Sequence, residues 1–270
     1  MRYLSLIPLV IIVLLMIFLK NNRAIYAENG NEKVLWDDSL LKLTPRYLDT
    51  TILVYDANNK PLKFRQYIEP VFNNDAMIYF DKGEWRLQRF TKTGLDSFYK
   101  DDFAAGKSER WSAIRYPDTS RSAEIKLKKI ANTLSMAEYI LVIKSKRKMY
   151  VKKRGANVLE FNINLGGKPV GHKEFEGDRK TPEGIYHLDI KFERPDKFYK
   201  SFWISYPNDE DKARALKKGL KPGGSILIHG TSPERIKAKD WTNGCIALKN
   251  EEMDSLFNHV PSGATIEIRK

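Results

Sequence analysis

From Tyr139 onward the chain is written as short β-type runs separated by glycine and proline, and this pattern limits the fold more than any other feature. The runs are Tyr139–Ile143, Lys148–Val151, Glu160–Leu165, Ile185–Leu188, Phe202–Tyr206, Ser225–His229 and Ala264–Ile268. Each is too short for a typical helix and rich in β-branched or aromatic residues. Short strands at this spacing predict a sandwich or partly open barrel. One helix is expected over Asn250–His259, with Pro261 and Gly263 as stop signals. Residues 137–270 therefore read as one mainly β domain.

At 270 residues the chain has room for a second unit. Residues 28–117 read as a small mixed α/β region with strands at Thr51–Tyr55 and Ala76–Phe80. Asp81-Lys82-Gly83-Glu84 would join the latter to Trp85–Phe90 as a hairpin. No catalytic constellation occurs there, and wall binding, partner docking and spacing all stay open as roles. Residues 118–136 read as an amphipathic linking helix, with Ile125, Ile130 and Leu134 near helical spacing and Leu127 beside them. The first 27 residues form an export segment, with an apolar run over residues 3–19 ahead of Lys20 and Arg23. It reads as a signal peptide cut after Ala27 or as an uncleaved membrane anchor.

The formal charge is +13, and the three basic residues of the first 27 leave +10 on the remainder. Such a field attracts polyanions: nucleic acid, anionic lipid, or the acidic polymers and peptide carboxylates of a bacterial wall. Export argues against nucleic acid, as does the absence of any recognisable nucleic-acid-binding signature. Membrane contact is expected only through residues 3–19, if they are retained. A solvated basic surface accounts for the charge equally well. With 42% hydrophobic residues the chain can fold into globular units.

Cys245 is the one cysteine, so no intrachain disulfide can form. An exported lone thiol is either buried as a small hydrophobe or kept because it reacts. Composition leaves both open. Ser225–Ile228 is an apolar strand ending at His229-Gly230, and Thr242-Asn243-Gly244-Cys245 sets the thiol after a glycine. Imidazole and thiol are the pair needed for a thiolate nucleophile, and a neighbouring His⁺ is expected to depress the thiol pKa. The N–H groups of Gly244 and Cys245 could hold an oxyanion. Asn-Gly is also a favoured hairpin turn, and a strand-end histidine is often structural.

The joint pattern decides between these. Ile228-His229-Gly230, then Thr242-Asn243-Gly244-Cys245-Ile246, resembles the signature of the YkuD-type L,D-transpeptidases. Upstream, Gly177-Asp178-Arg179-Lys180-Thr181-Pro182-Glu183-Gly184 is similar to the family's Thr-Pro-x-Gly segment. Ser205-Tyr206-Pro207-Asn208 and Pro222-Gly223-Gly224 fit one exported branch of it. The resemblance covers about half the chain.

It implies a YkuD-like β-sandwich with Cys245 as nucleophile, His229 as general base and Gly230 orienting the imidazole through its carbonyl. Gly244 would serve the oxyanion hole, with Thr242, Asn243 and Tyr206 near substrate. The implied reaction is transfer on peptidoglycan stem peptides in the periplasm or cell envelope. Cys245 would form a thioester and release D-alanine, and an amine would then accept the acyl group, giving a 3→3 cross-link. The acceptor could instead be a wall-anchored protein, another amine or water. Such an enzyme serves wall organisation and cell shape, and needs no metal or cofactor. Two positions depart from the family pattern: Asn243 stands where many members have His, and Ala247 where many have Arg or Asn. Substrate choice is therefore not carried over. His172, His187 and His259 lack metal-ligand spacing with Cys245 and read as structural.

Overall fold

A computed structural model of the chain describes residues 36, 38–81, 83–90, 122–194 and 198–270. The expected export segment lies outside them, as does the stretch from 91 to 121. Among the described residues no helix is long and apolar enough to cross a membrane.

The N-terminal unit begins with α1 (Asp38–Leu41), β1 (Val54–Tyr55), β2 (Pro61–Leu62) and α2 (Phe64–Phe72), followed by β3 (Ala76–Asp81) and β4 (Glu84–Arg89). Its sheet runs β2-β1-β4-β3, and β3 and β4 form the expected hairpin, from Ala76↔Arg89 to Asp81↔Glu84. The first expected strand is cut back to Val54–Tyr55. Alternation buries Ala76, Ile78 and Phe80 of β3, and Ala76 and Ile78 share a core with Phe64, Tyr67, Ile68 and Phe72 of α2. Sequence reading missed α2, because Pro70 interrupts it.

Helix α3 (Ala123–Leu134) is capped by Ser122, whose hydroxyl accepts from Ile125 N–H. Its buried stripe is Ala123, Leu127, Ala131 and Leu134, at spacings of four, four and three. Ile125, expected on the apolar face, is 49% exposed, while Leu127 is fully buried. Ala123, Leu127 and Leu134 enter the N-terminal core, so α3 packs with that unit rather than standing free between two others.

The C-terminal half holds β5 (Tyr139–Ile143), β6 (Lys148–Lys153), β7 (Ala156–Asn162), β8 (Gly184–Arg194), β9 (Tyr199–Ile204), α4 (Asp209–Lys217), β10 (Leu227–His229), β11 (Ile246–Ala247), α5 (Asn250–His259) and β12 (Thr265–Arg269). It is mainly β with few helices, as the run pattern predicts. The eight strands are ordered β11-β10-β9-β8-β12-β5-β6-β7. β8 pairs with β12 through its first half and with β9 through its second, and a register irregularity between Leu188 and Lys191 bends it from one to the other. Bridges Asn164↔Ala247 and Gly166↔Thr242 return the chain after β7 to the β11 edge, so the sheet curls back on itself. Ile140, Met149, Phe202, Ile228, Ile246 and Leu256 share the enclosed core.

The units touch. Arg154 is ion-paired with Asp49. Gly263 lies against the Phe80 carbonyl, with no room for a Cβ. α4 was not foreseen because it is almost wholly polar. Its start is nevertheless marked, since the Asn208 side chain accepts from Asp211 N–H at 2.9 Å and three acids fill the first turn.

Candidate active site

β10 and β11 run parallel, with Ile228 opposite Ile246 and His229 opposite Ala247. Ile228 and Ile246 point into the core, so His229 and Ala247 face the other way. One step back along both strands sets Cys245 beside Leu227, whose N–H donates to Sγ at 3.4 Å. Cys245 and His229 thus share one sheet face on a two-residue diagonal. Strand spacing and rise put their β-carbons about 8 Å apart.

The imidazole is fixed on three sides. Its Nδ1 lies 2.6 Å from the Gly230 carbonyl, Phe198 packs against the ring at a 45° tilt and 4.8 Å, and Trp241 meets it edge-on at 5.6 Å. A carbonyl only accepts, so Nδ1 carries the proton and Nε2 is left with a free lone pair. Burial lowers the His229 pKa, and the Gly230 carbonyl offsets this in part. The ring is therefore neutral at neutral pH. Gly230 N–H is committed to the Phe198 and Lys200 carbonyls at 3.0 and 3.2 Å, so this residue orients through its carbonyl alone. A side chain at Gly230 would strike Asn250, Phe198 and Tyr199.

The turn before Cys245 is built by Thr242. Its hydroxyl donates to the Cys245 carbonyl at 2.7 Å and accepts from Gly244 N–H at 3.1 Å. Thr242 is buried, so it shapes the turn and presents nothing to a ligand. Asn243, at the apex, is exposed. Gly244 has φ +131°, and a Cβ there would sit 2.7 Å from the Lys180 carbonyl. Of the two amides expected at an oxyanion site, that of Gly244 is occupied by Thr242. The Cys245 N–H has no partner among the described residues.

Burial raises the Cys245 pKa, with the Leu227 N–H and the charge of Lys173 acting against it. The expected His⁺ that would depress the thiol is not formed, because the same burial keeps the imidazole neutral. Both groups therefore rest uncharged at neutral pH.

Behind the turn stands the loop from Gly166 to Glu183. Lys173 and Asp178, each 3% exposed, pair at 2.8 Å, and Asp178 also accepts from the N–H groups of Glu174, Phe175 and Lys180. Lys144 Nζ holds the same loop through the carbonyls of Gly171 and Thr181 and the Glu183 carboxylate. Sequence reading treated this loop as a motif only and missed Lys144 and Lys173. A lysine inside a β-type run or a loop gives no sign that it will be buried.

Tyr206 is not on the site face. It is 3% exposed, its hydroxyl donates to the Pro222 carbonyl at 2.9 Å, and its ring meets Tyr186 edge-on. His172 is held by Asp211 and the Glu183 N–H, and His259 by the Ser255 carbonyl.

Residues 137–268 match the family model of YkuD, the L,D-transpeptidase catalytic domain, and this half of the chain is a domain of that family. Among its relatives are "Putative L,D-transpeptidase YafK" of Escherichia coli strain K12, 30% identical over 133 residues (47% of this chain, 48% of that one), and "Putative L,D-transpeptidase YqjB" of Bacillus subtilis strain 168, 33% identical over 93 residues (34% and 53%). The chain spans about half the length of each. The helical cell shape determining protein Pgp2 from Campylobacter jejuni is 28% identical over 50% of this chain and 48% of its own, with a TM-score of 0.42.

Proposed function

We propose that this protein is an exported L,D-transpeptidase acting on peptidoglycan stem peptides, with Cys245 as nucleophile and His229 as general base. The observation that carries the reading is the Cys245–His229 diagonal within a domain of this family. The imidazole is held by the Gly230 carbonyl so that its free Nε2 serves the thiol. The +10 charge outside the first 27 residues suits a polymer rich in carboxylates.

Cys245 Sγ attacks the amide carbonyl that joins the L-centre of diaminopimelate to D-alanine, and the thiol proton moves to His229 Nε2. The oxyanion is stabilised by the Cys245 N–H, joined by the Gly244 N–H if Thr242 releases it. Lys173 adds a nearby positive charge. The C–N bond breaks, Nε2 returns the proton to the leaving amine, and D-alanine departs from a Cys245 thioester. An acceptor amine then attacks that carbonyl, giving its proton to Nε2. The C–S bond breaks, and the thiolate recovers the proton.

Incubation of the full chain with tetrapeptide muropeptides, followed by mass spectrometry, tests this. Cross-linked dimer with free D-alanine is expected. Tripeptide without dimer would assign water as the acceptor, and unchanged tetrapeptide would overturn the reading.

A further inference from the structure

We propose that Asp178 is a positioning residue for the nucleophile: it fixes the backbone of Arg179 and Lys180, and that backbone seats the Gly244 turn that presents Cys245. The inference rests on the proposed reading of Cys245 as nucleophile. Asp178 itself touches neither the thiol nor a substrate.

Two carbonyls carry the contact. A Cβ at Gly244 would stand 2.7 Å from the Lys180 carbonyl oxygen, and one at Gly166 would run into the Arg179 carbonyl and stand 3.1 Å from Gly244 Cα. Loop, turn and the chain after β7 therefore meet backbone on backbone, with no side chain between them. A side chain can absorb a small displacement by changing rotamer. Backbone in close-packed contact cannot, so a shift of the loop passes to the turn. The turn holds the thiol in its place, since the Thr242 hydroxyl binds both the Gly244 N–H and the Cys245 carbonyl.

Asp178 places those carbonyls. One carboxylate oxygen accepts from Lys173 Nζ at 2.8 Å and from Lys180 N–H at 3.0 Å, and the other from the N–H groups of Glu174 and Phe175 at 2.7 and 3.3 Å. Those donors close residues 173–180 into a ring around one buried side chain. Arg179, on that ring, has φ +58°, a left-handed backbone that a non-glycine residue keeps only where its surroundings impose it. On one side of it stands the Asp178 carboxylate, and its own carbonyl accepts from Lys168 N–H at 3.0 Å. The reversal sets the Arg179 and Lys180 carbonyls on the two glycines.

The rest of the loop is pinned independently. Lys144 holds Gly171, Thr181 and Glu183, and the Thr181 hydroxyl accepts from Gly166 N–H at 3.0 Å. A change at Asp178 should therefore loosen the 173–180 ring without releasing the whole loop. Its effect falls on rate rather than on binding: Cys245 moves relative to His229, so kcat drops while KM holds.

The test uses the full chain with two variants: Asp178→Asn, which removes the charge, and Asp178→Glu, which keeps it but carries it one methylene further. Release of D-alanine from a tetrapeptide muropeptide gives kcat and KM, at a temperature where circular dichroism shows each protein folded. Each variant should lose about 10²-fold in kcat, the scale of a misplacement of about 1 Å, with KM little changed. D178E keeps the ion pair, so it carries the test if D178N does not fold. Both D178E and G244A act through one turn, so the double variant should lose no more than G244A alone. Wild-type kcat in folded D178E, or losses that multiply in the double variant, would overturn the inference. If the wild type releases no D-alanine, the transpeptidase reading fails, and alkylation of Cys245 by iodoacetamide then decides on Asp178 separately. D178E should speed alkylation by loosening the turn over a half-buried thiol, and an unchanged rate would overturn the positioning role.

Discussion

The Nδ1 of His229 donates to the carbonyl of Gly230, the next residue in the chain, at 2.6 Å. No carboxylate is needed to hold this imidazole. A backbone carbonyl fixes the same tautomer as an acid would, without stabilising the imidazolium as strongly. With burial, this keeps the ring neutral and its Nε2 ready to accept a proton. Replacing His229 by Ala should lower kcat by about 10²–10⁴-fold, the usual worth of a positioned base. Cys245→Ala should give no acyl adduct in intact-mass measurements with the tetrapeptide donor. An adduct of undiminished yield on that variant would place the nucleophile elsewhere.

The thiol should titrate high. Burial raises the Cys245 pKa, and the Leu227 N–H and Lys173 only oppose that shift. Alkylation by iodoacetamide should therefore accelerate as pH rises through a midpoint above the ordinary thiol value of about 8.5. An ion pair would give a plateau already reached by pH 7. In the same picture, activity rises with pH through a His229 pKa below 6.5, so the acid limb of kcat/KM should fall below that value. A midpoint for alkylation below 7 would show that the thiolate is formed in the resting enzyme.

Gly244→Ala should remove activity more completely than its size suggests. The residue has φ +131°, and a Cβ would stand 2.7 Å from the Lys180 carbonyl and 3.1 Å from Ile226 Cδ1. The turn must shift to accept it, and Cys245 follows. A loss of about 10²-fold or more in kcat is expected for a displacement near 1 Å. Near-normal turnover with a fully folded protein would mean that the turn has slack.

The strand pattern of the C-terminal half was legible because its apolar alternation is strong, and α5 matched its expected bounds from Asn250 to His259. α2 and α4 were not, since Pro70 breaks one pattern and the other buries only Asp211 and Ala215. The places of Cys245 and His229 were readable from order and spacing. Their electrostatics were not. A thiol beside a histidine suggests an ion pair, yet desolvation acts on both groups, and burial is a property of the assembled fold. Tyr206 shows the same limit, because its motif says nothing about the Pro222 carbonyl that occupies its hydroxyl. On α3, Leu134 is buried as expected, but Leu127, read as lying beside the apolar face, takes the buried place given to Ile125.

Lys173 and Asp178 allow a sharper test of how the loop behind the nucleophile is held. Burial raises the Asp178 pKa, but Lys173 and three backbone N–H groups outweigh it, and the net value falls below 3.8. A depressed carboxylate pKa gives stability that is present above the unfolded value and lost as pH falls through the folded one. Lys173→Met leaves the 3% exposed carboxylate without its cation, a change that costs about 3–5 kcal/mol in buried pairs. The melting temperature at pH 7 should fall by roughly 10 °C. In the variant the carboxylate pKa rises, so the acid protonates earlier as pH is lowered and its uncompensated charge disappears. The gap to the wild type should then narrow towards pH 4. Circular dichroism melts at pH 7, 5.5 and 4 measure it, and a gap that stays constant would mean that the Lys173 side chain contributes through packing rather than charge.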